Sequence, residues 1–266
     1  MNALAAHRRH PAALVILILI GLIATGGLYA LLAPKPAQAV AGASQEDVKA
    51  GQELFLANCA TCHGVNGGGV TEGKTQIGPS LVGVGAAAVD FQVGTGRMPM
   101  ASPGVQAARG KPVFDDKQVK QLAAWVATLG PGPAIPEEKY SEGVGGNLAK
   151  GAEIFRVNCS MCHNYAGSGG ALTRGKYAPE LKDVEGRHIY EVMVSGSQSM
   201  PVFNDQNISP EAKNDVIAFV KSLNQNENRG GHNLGNFGPV GEGFFLWGIG
   251  LLTMIAAAVW LGRKGA

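Results

Sequence analysis

The sequence predicts an all-α protein in which two similar helical domains lie in tandem between an N-terminal and a C-terminal transmembrane helix. Three observations predict this architecture. Residues 51–63 align with residues 151–163 without a gap, two long runs carry no charged residue, and apolar residues recur at helical spacing beside each copy. An internal repeat with only two copies indicates tandem domains, because a solenoid needs three or more.

The first uncharged run covers residues 12–32 and is long enough to cross a hydrocarbon core ~30 Å thick. The basic segment 7–10 precedes it and reads His-Arg-Arg-His. An alternative is a cleaved signal peptide, since residues 37–39 read Ala-Gln-Ala, a small-x-small pattern. The apolar core of a signal peptide is only ~7–15 residues long. We therefore favour a retained anchor, with residues 1–11 in the cytoplasm.

The second uncharged run covers residues 244–262 and is followed by Arg263 and Lys264. Because basic residues flank the two spans at the extreme ends of the chain, the positive-inside rule predicts cytoplasmic termini. The domains between the spans are then expected on the extracytoplasmic side of the cell membrane, in a two-pass protein that contacts lipid. The net charge of +2 and the 16% charged residues argue against a nucleic-acid partner.

All four cysteines fall in two copies of the motif Cys-x-x-Cys-His. Neither a thioredoxin-like site nor a zinc ribbon requires a histidine directly after the second cysteine. At this spacing two thiols reach the two vinyl groups on one edge of a haem, and the following imidazole lies beneath the iron. We therefore predict two covalently bound haems c. The attachment sites are Cys59, Cys62, Cys159 and Cys162, and the proximal iron ligands are His63 and His163.

Each copy is predicted to begin with a helix that runs to its cysteines. In the first copy Ser44 is the candidate N-cap, with Asp47 three residues further on. Each copy is also predicted to end with a helix, over residues 116–129 and 210–223, and Gly- and Pro-rich loops lie between. The candidate caps of these last helices are Asp115 and Ser209.

These helices define the predicted domain organisation: domain 1 at 44–130, a Pro- and Gly-rich linker at 131–147, domain 2 at 148–225 and a juxtamembrane segment at 226–243. Trp125 and Phe219 occupy equivalent places in the two closing helices. At helical spacing they are predicted to be core aromatics that pack beside the flat prosthetic group.

A sixth iron ligand is needed if each haem is to shuttle electrons, and methionine in that position raises the reduction potential. In the second copy Met200 directly precedes Pro-Val-Phe. In the first copy Lys111 stands before the same tripeptide, so the ligand must come from earlier in the loop and an insertion must precede Pro112. Met98 keeps the Met-Pro pair, whereas Met100 keeps the 100-residue offset. We favour Met98, with Met100 as the alternative.

The remaining histidines and methionines carry less information. His188 and His232 match nothing in the other copy and are predicted to be surface residues. Met161, Met193 and Met254 are predicted to fill gaps in apolar cores, as flexible thioethers do.

The whole pattern resembles class I cytochromes c arranged in tandem, and specifically the dihaem cytochrome cc subunit of the actinobacterial cytochrome bcc complex. The resemblance covers nearly the whole chain. Besides the haem motifs it rests on Gly-Arg-Met-Pro at 96–99, Gly-Lys-Tyr-Ala-Pro at 175–179 and Gly-Asn-Phe-Gly-Pro at 235–239.

The resemblance implies a subunit of menaquinol:cytochrome c oxidoreductase that works beside a cytochrome b and a Rieske iron–sulfur protein, in a dimeric supercomplex with an aa3-type oxidase. It implies that the first haem takes electrons from the Rieske centre and is held by Cys59, Cys62, His63 and Met98. The second haem would deliver them to the copper centre of the oxidase and is held by Cys159, Cys162, His163 and Met200. Quinol oxidation would then occur in partner subunits, and this chain has no catalytic residue of its own.

Two other classes of protein share parts of this pattern. A dihaem subunit of a cbb3-type oxidase or of a membrane dehydrogenase is also an electron carrier anchored in a membrane. A dihaem peroxidase is an enzyme that needs an open iron position for peroxide, and the two Met-Pro candidates argue against it.

Overall fold

A computed structural model describes residues 11–32, 40, 42–102, 104–225 and 239–263 of the chain. The unit Met1–Ala37 contains one described helix, α1 (Pro11–Leu32), and the unit Gln38–Ala266 contains the remaining elements. The basic segment 7–10, the tripeptide 37–39, His232, residues 235–238 and Lys264 lie outside the described residues.

The first domain is helical apart from one antiparallel hairpin. Its elements are α2 (Gln45–Asn58), α3 (Ala60–His63), β1 (Val70–Glu72), β2 (Thr75–Gly78), α4 (Ala86–Gly94) and α5 (Asp116–Ala127).

Both predicted N-caps in this domain are confirmed. The Ser44 hydroxyl accepts a hydrogen bond from the Asp47 N–H, and the Asp47 carboxylate accepts one from the Ser44 N–H at 3.0 Å. Asp115 and Gln118 form the same capping box at the start of α5. The hydrogen bonds from Ser44 lower the pKa of Asp47 to about 2, so this box stays intact throughout the neutral range.

The two long helices of the first domain cross at a glycine. A Cβ added to Gly51 of α2 would clash with the backbone carbonyl of Gln121 in α5, so only glycine allows this approach. One turn further on, Phe55 packs on Trp125 with the ring centroids 4.1 Å apart. Both aromatic side chains are buried, which confirms Trp125 as a core residue.

The second domain repeats this order of elements, with an additional short helix at its start and a 3-10 turn between its two strands. Its elements are α6 (Glu138–Ser141), α7 (Leu148–Asn158), α8 (Ser160–His163), β3 (Gly170–Ala171), a 3-10 turn (Thr173–Gly175), β4 (Tyr177–Ala178), α9 (Gly186–Ser195) and α10 (Pro210–Gln225). The crossing of α7 and α10 repeats that of α2 and α5. Gly151 lies against the Asp215 carbonyl, and Phe155 packs on Phe219 with centroids 5.3 Å apart. The glycine and phenylalanine shared by the two copies are thus explained by helix packing.

The hairpins β1–β2 and β3–β4 occupy stretches that the sequence predicted to be loops. Each follows a cysteine motif directly and is tied to it by a backbone hydrogen bond, from Gly69 N to His63 O at 2.7 Å and from Gly169 N to His163 O at 2.9 Å. Strands of two to four residues are too short to show an alternating pattern. They leave the predicted all-α class unchanged.

The two domains meet through equivalent helices. Helix α4 packs against α9, and these helices are related by the 100-residue offset of the repeat. Gln92 of α4 donates a hydrogen bond to the Ser197 hydroxyl, and the Phe91 ring meets the His188 ring edge-on with centroids 6.2 Å apart. His188 is therefore buried, with 6% exposure, and its prediction as a surface residue is wrong.

A buried cluster of charged groups joins α4 to α9. Arg187 Nη1 lies 3.0 Å from Asp90 Oδ2, and His188 Nδ1 lies 2.8 Å from Glu191 Oε2. Burial, followed by the hydrogen bond and the charge of Asp90, raises the pKa of Glu191 to about 11. Glu191 is therefore protonated at neutral pH, and the one charge of Asp90 is balanced by Arg187.

We expect Glu191→Gln to stabilise the protein by an amount that grows with pH. The folded chain holds the Glu191 proton far above the ordinary pKa of 4.5, so the unfolded chain gives that proton up first. The stability of the natural protein therefore falls as pH rises from the ordinary pKa towards the raised one. Glutamine can donate a hydrogen bond to Asp90 as the protonated acid does. Because glutamine does not titrate, the stability of the variant lacks this dependence on pH.

Thermal unfolding of the purified holoprotein at about pH 5 and about pH 8 measures this difference. The midpoint of Glu191→Gln should exceed that of the natural protein more at the higher pH. Glu153→Gln is the control, because Glu153 is exposed. If the unfolding midpoints of Glu191→Gln and the natural protein differed by the same amount at both pH values, a protonated Glu191 would be contradicted.

Both predicted spans are helical where the structure describes them. The window Ala12–Tyr29 of α1 has a mean hydropathy of 2.4, and the segment Gly241–Arg263 has 2.1. The second segment is built from α11 (Pro239–Phe245), a π-helical turn (Leu246–Gly250) and α12 (Leu251–Arg263). Each helix is long and apolar enough to cross a membrane. Met254 lies on α12 with 65% of its surface exposed, so it does not fill a core as predicted.

Candidate haem-binding sites

The two cysteine motifs adopt the same backbone conformation. In each, the first cysteine ends the long helix, and its N–H donates to Phe55 O or Phe155 O at 2.8 Å. The motif then turns through a short helix in which the histidine N–H donates to the carbonyl of that cysteine at 2.9 Å. All four thiols are free and none is joined in a disulfide. Each pair is therefore available for thioether bonds.

The imidazoles of the two motifs are held in the same way. His63 Nδ1 lies 2.8 Å from the Pro79 carbonyl oxygen, and His163 Nδ1 lies 3.0 Å from that of Pro179. A carbonyl oxygen can only accept, so Nδ1 carries the proton and Nε2 keeps its lone pair. Metal-bound histidines usually donate their other ring nitrogen in this manner. The two histidines thus have hydrogen-bond partners at equivalent positions of the repeat.

Burial keeps three of the site residues, Cys59, Cys159 and His163, in uncharged forms. It raises the pKa of Cys59 and of Cys159 to about 11, so both thiols stay protonated at neutral pH. Burial also lowers the pKa of His163, and the Pro179 carbonyl opposes this only in part. A neutral imidazole is the form that binds a metal.

In the second domain one cavity brings together all four predicted site residues. Cys159, Cys162, His163 and Met200 line it, and apolar side chains such as Leu172 complete its walls. Two thiols, an imidazole and a thioether are the groups that attach a haem c and ligate its iron. The residues present therefore fit this group.

The candidate axial methionines differ in their packing. Met200 packs against the apolar core of the second domain, which includes Cys159. Met98 packs in the same way against the core of the first domain, where Cys59 also lies. Met100 is not part of that cluster, and its Cε lies close to Gly104 in the following loop. This packing favours Met98 over Met100.

Several residues around the second cavity were missed or misjudged from the sequence. Met161, between the two cysteines of its motif, is 90% exposed and does not fill the core, because its position faces outward from a single helical turn. Met193 is buried as predicted. Arg97, Gln106 and Arg109 of the first domain line the cavity of the second. Residue spacing within the first copy of the repeat could not have predicted that these three residues line a cavity of the second domain.

Comparison with known proteins gives the two domains separate matches. The family model for cytochrome c matches residues 48–130, and the model for cytochrome c oxidase, cbb3-type, subunit III matches residues 146–220. Cytochrome c6 of Limnospira maxima is 32% identical over 82 residues, or 28% of this chain. Both halves are thus cytochrome c domains, and such domains carry covalently bound haem c.

Relatives that match along nearly the whole chain share one name. The cytochrome bc1 complex cytochrome c subunit of Mycobacterium bovis is 43% identical over 255 residues, covering 94% of this chain and 90% of the relative. The subunit of the same name from Corynebacterium diphtheriae is 39% identical over 273 residues, covering 96% of this chain and 95% of the relative. The chain therefore belongs to the family of cytochrome bc1 complex cytochrome c subunits.

Proposed function

We propose that this chain carries two haems c, one in each domain, and relays electrons within a menaquinol:cytochrome c oxidoreductase. It takes them from a Rieske iron–sulfur centre at the first haem and passes them from the second haem to the copper centre of an aa3-type oxidase. The observation that supports two haems most directly is the matching pair of free thiols and carbonyl-bound imidazoles in the two domains. The names of the full-length relatives support the place in the complex.

The chemistry of this proposal belongs to the cofactor, whose iron alternates between the ferrous and ferric states when bound. The protein holds and tunes it. Cys59, Cys62, Cys159 and Cys162 supply the thioether sulfurs. The carbonyls of Pro79 and Pro179 accept hydrogen bonds from the imidazoles and thereby fix the orientation of both rings. The chain forms and breaks no substrate bond, and quinol is oxidised in partner subunits.

The axial methionines complete the two sites in this proposal, with Met98 in the first domain and Met200 in the second. We expect Met98→Leu to abolish the methionine-to-iron charge-transfer absorption of one haem, and Met200→Leu that of the other. The affected haem should also have a lower reduction potential, because methionine ligation raises it. Absorption spectra of the oxidised protein measure the first effect, and a redox titration measures the second.

Met100→Leu is the matched control for this prediction, since it removes a thioether two residues away from Met98. We expect both absorption bands to survive in it. Loss of a band in Met100→Leu, together with its survival in Met98→Leu, would assign the ligand to Met100.

The membrane helices give the proposal its location. The chain is a membrane protein with an apolar helix near each end, and we propose that both domains face the extracytoplasmic side. The basic residues outside the two spans support this orientation. Anchoring at both ends would keep the haems close to a cytochrome b, a Rieske protein and an oxidase in a dimeric supercomplex, which raises their effective concentration.

The second candidate is a haem-carrying subunit of a cbb3-type oxidase, favoured by the family model that matches residues 146–220. That match covers a single domain, whereas the bc1-type relatives cover nearly the whole chain. The two candidates predict different neighbours in the membrane.

Purification of the native assembly in a mild detergent tests the proposal. We expect a cytochrome b and a Rieske protein to copurify with this chain, and menaquinol to reduce both haems in that preparation. Copurification with a cbb3-type catalytic subunit, in the absence of a Rieske protein, would overturn it. Carbon monoxide binding at both haems of the reduced chain, with rapid peroxide decomposition, would instead indicate a peroxidase.

A further inference from the structure

The inserted loop of the first copy reaches the other domain. The sequence places this insertion between Pro99 and Pro112, and residues 104–112 of it form what we term the bridging loop. Its base is held in its own domain, where Gly110 N donates to Thr95 O at 3.2 Å and Gly96 lies against Gly110. The far side of the loop contacts the second domain.

Three side chains attach the bridging loop to the second domain. The Gln106 amide makes a pair of hydrogen bonds to the backbone of Tyr177, donating to its carbonyl at 2.8 Å and accepting from its N–H at 2.9 Å. Ala107 N donates to the Gln198 side chain at 3.3 Å. Arg109 Nη2 donates to the Asp183 carbonyl at 3.3 Å. The loop thereby becomes one wall of the cavity that holds Cys159, Cys162, His163 and Met200.

This wall brings two guanidinium groups to the cavity, those of Arg97 and Arg109. Arg97 is buried, with its Nη1 donating to Thr95 Oγ1 at 2.6 Å and its Cζ 4.6 Å from the Phe91 ring centroid. Among the residues that the structure describes, neither guanidinium forms an ion pair with a carboxylate. Arg109 is exposed at the rim of the cavity. The buried cation of Arg97, which has no carboxylate partner, is costly unless an anion enters the cavity with the ligand.

A haem brings that anion. Its two propionates are its only negatively charged groups, and they lie on the edge opposite the thioether bonds. Arginine is suited to them because its planar fork can donate two parallel hydrogen bonds to one carboxylate.

We propose that Arg97 and Arg109 of the first domain bind the propionates of the haem attached to Cys159 and Cys162 in the second domain. The inference rests on the proposed second haem. It means that the first domain supplies part of the binding site for the cofactor of its neighbour, through the insertion that distinguishes the two copies. A cation beside the propionates also favours the reduced iron, since reduction adds a negative charge.

Arg109→Gln in the full-length holoprotein tests the proposal. We expect the equilibrium between the reduced and oxidised second haem to shift about tenfold towards the oxidised form, or ~59 mV for a one-electron couple. The potential of the first haem should not change. Arg109→Lys should retain most of the natural potential, because the charge remains. Resonance Raman spectra should show altered propionate bending modes in Arg109→Gln, for the second haem alone.

Arg174→Gln is the matched control, because it removes the same charge from an exposed position of the second domain outside the cavity. It should leave both potentials and both Raman spectra as they are. A shift confined to the first haem would show that Arg109 binds the other cofactor, and equal losses in the glutamine and lysine variants would show a purely structural role. Either result would overturn the inference. Failure of the proposed function would be seen separately, as a natural protein without haem at Cys159 and Cys162.

Discussion

Replacing Cys159 and Cys162 together by alanine is expected to yield a chain with one covalent haem instead of two. Without both thiols the cofactor cannot be attached in the second domain, whereas the first motif stays intact. The same pair of changes at Cys59 and Cys62 should also leave one haem. Electron flow from menaquinol to the oxidase should be lost in both double variants, because the two carriers work in series.

Haem content measured against protein, together with the mass of the intact chain, checks this prediction. Met161→Ala is the control, because it changes a 90% exposed residue inside the second motif and keeps both thiols. It should retain two haems. A natural protein with one haem, or undiminished electron flow in one of the double variants, would contradict two carriers in series.

Gly51→Ala is expected to destabilise the first domain severely. The added methyl group meets the backbone carbonyl of Gln121, which cannot move aside as a flexible side chain would, so helices α2 and α5 must separate. Overpacking of this kind costs about 3 kcal/mol of unfolding free energy. For a domain of this size the unfolding midpoint should fall by roughly 10 °C or more.

Gly68→Ala in the same domain is the matched control, since no atom lies within 4 Å of a Cβ added there. Thermal unfolding followed by the absorption of the first haem measures both variants. We expect the midpoint of the control to stay close to that of the natural protein. Equal midpoints for Gly51→Ala and Gly68→Ala would show that α2 and α5 do not pack as closely as described.

Local features of this fold were predictable from the sequence. The caps at Ser44 and Asp115 were recognised because a capping box depends on residues only three positions apart. The closing helices were placed within two residues of their observed ends, at Ala127 and Gln225. The core aromatics Trp125 and Phe219 followed from their equivalent places on these helices.

Features that depend on the neighbouring domain were not predictable. His188 has no counterpart in the other copy, so nothing in the repeat indicated that it would lie buried against Phe91 and Glu191. The insertion before Pro112 was detected by its effect on the spacing, but its contact with Tyr177 was not. Periodicity describes an element and its own domain, whereas these residues are placed by the contact surface between the two domains.

The contact between α4 and α9 also bears on how the chain arose. Since the same helix of each copy meets its counterpart, the contact has the form that a symmetric homodimer would use. Duplication and fusion of a gene for a self-associating ancestor would produce it. In a single chain, unlike in a homodimer, the two contact surfaces can carry different residues. Asp90 pairs with Arg187, while the equivalent positions of the other copy hold Tyr190 and Ala87. A homodimer would have to repeat such an ion pair at the symmetry-related position, whereas a single chain can hold it on one side only.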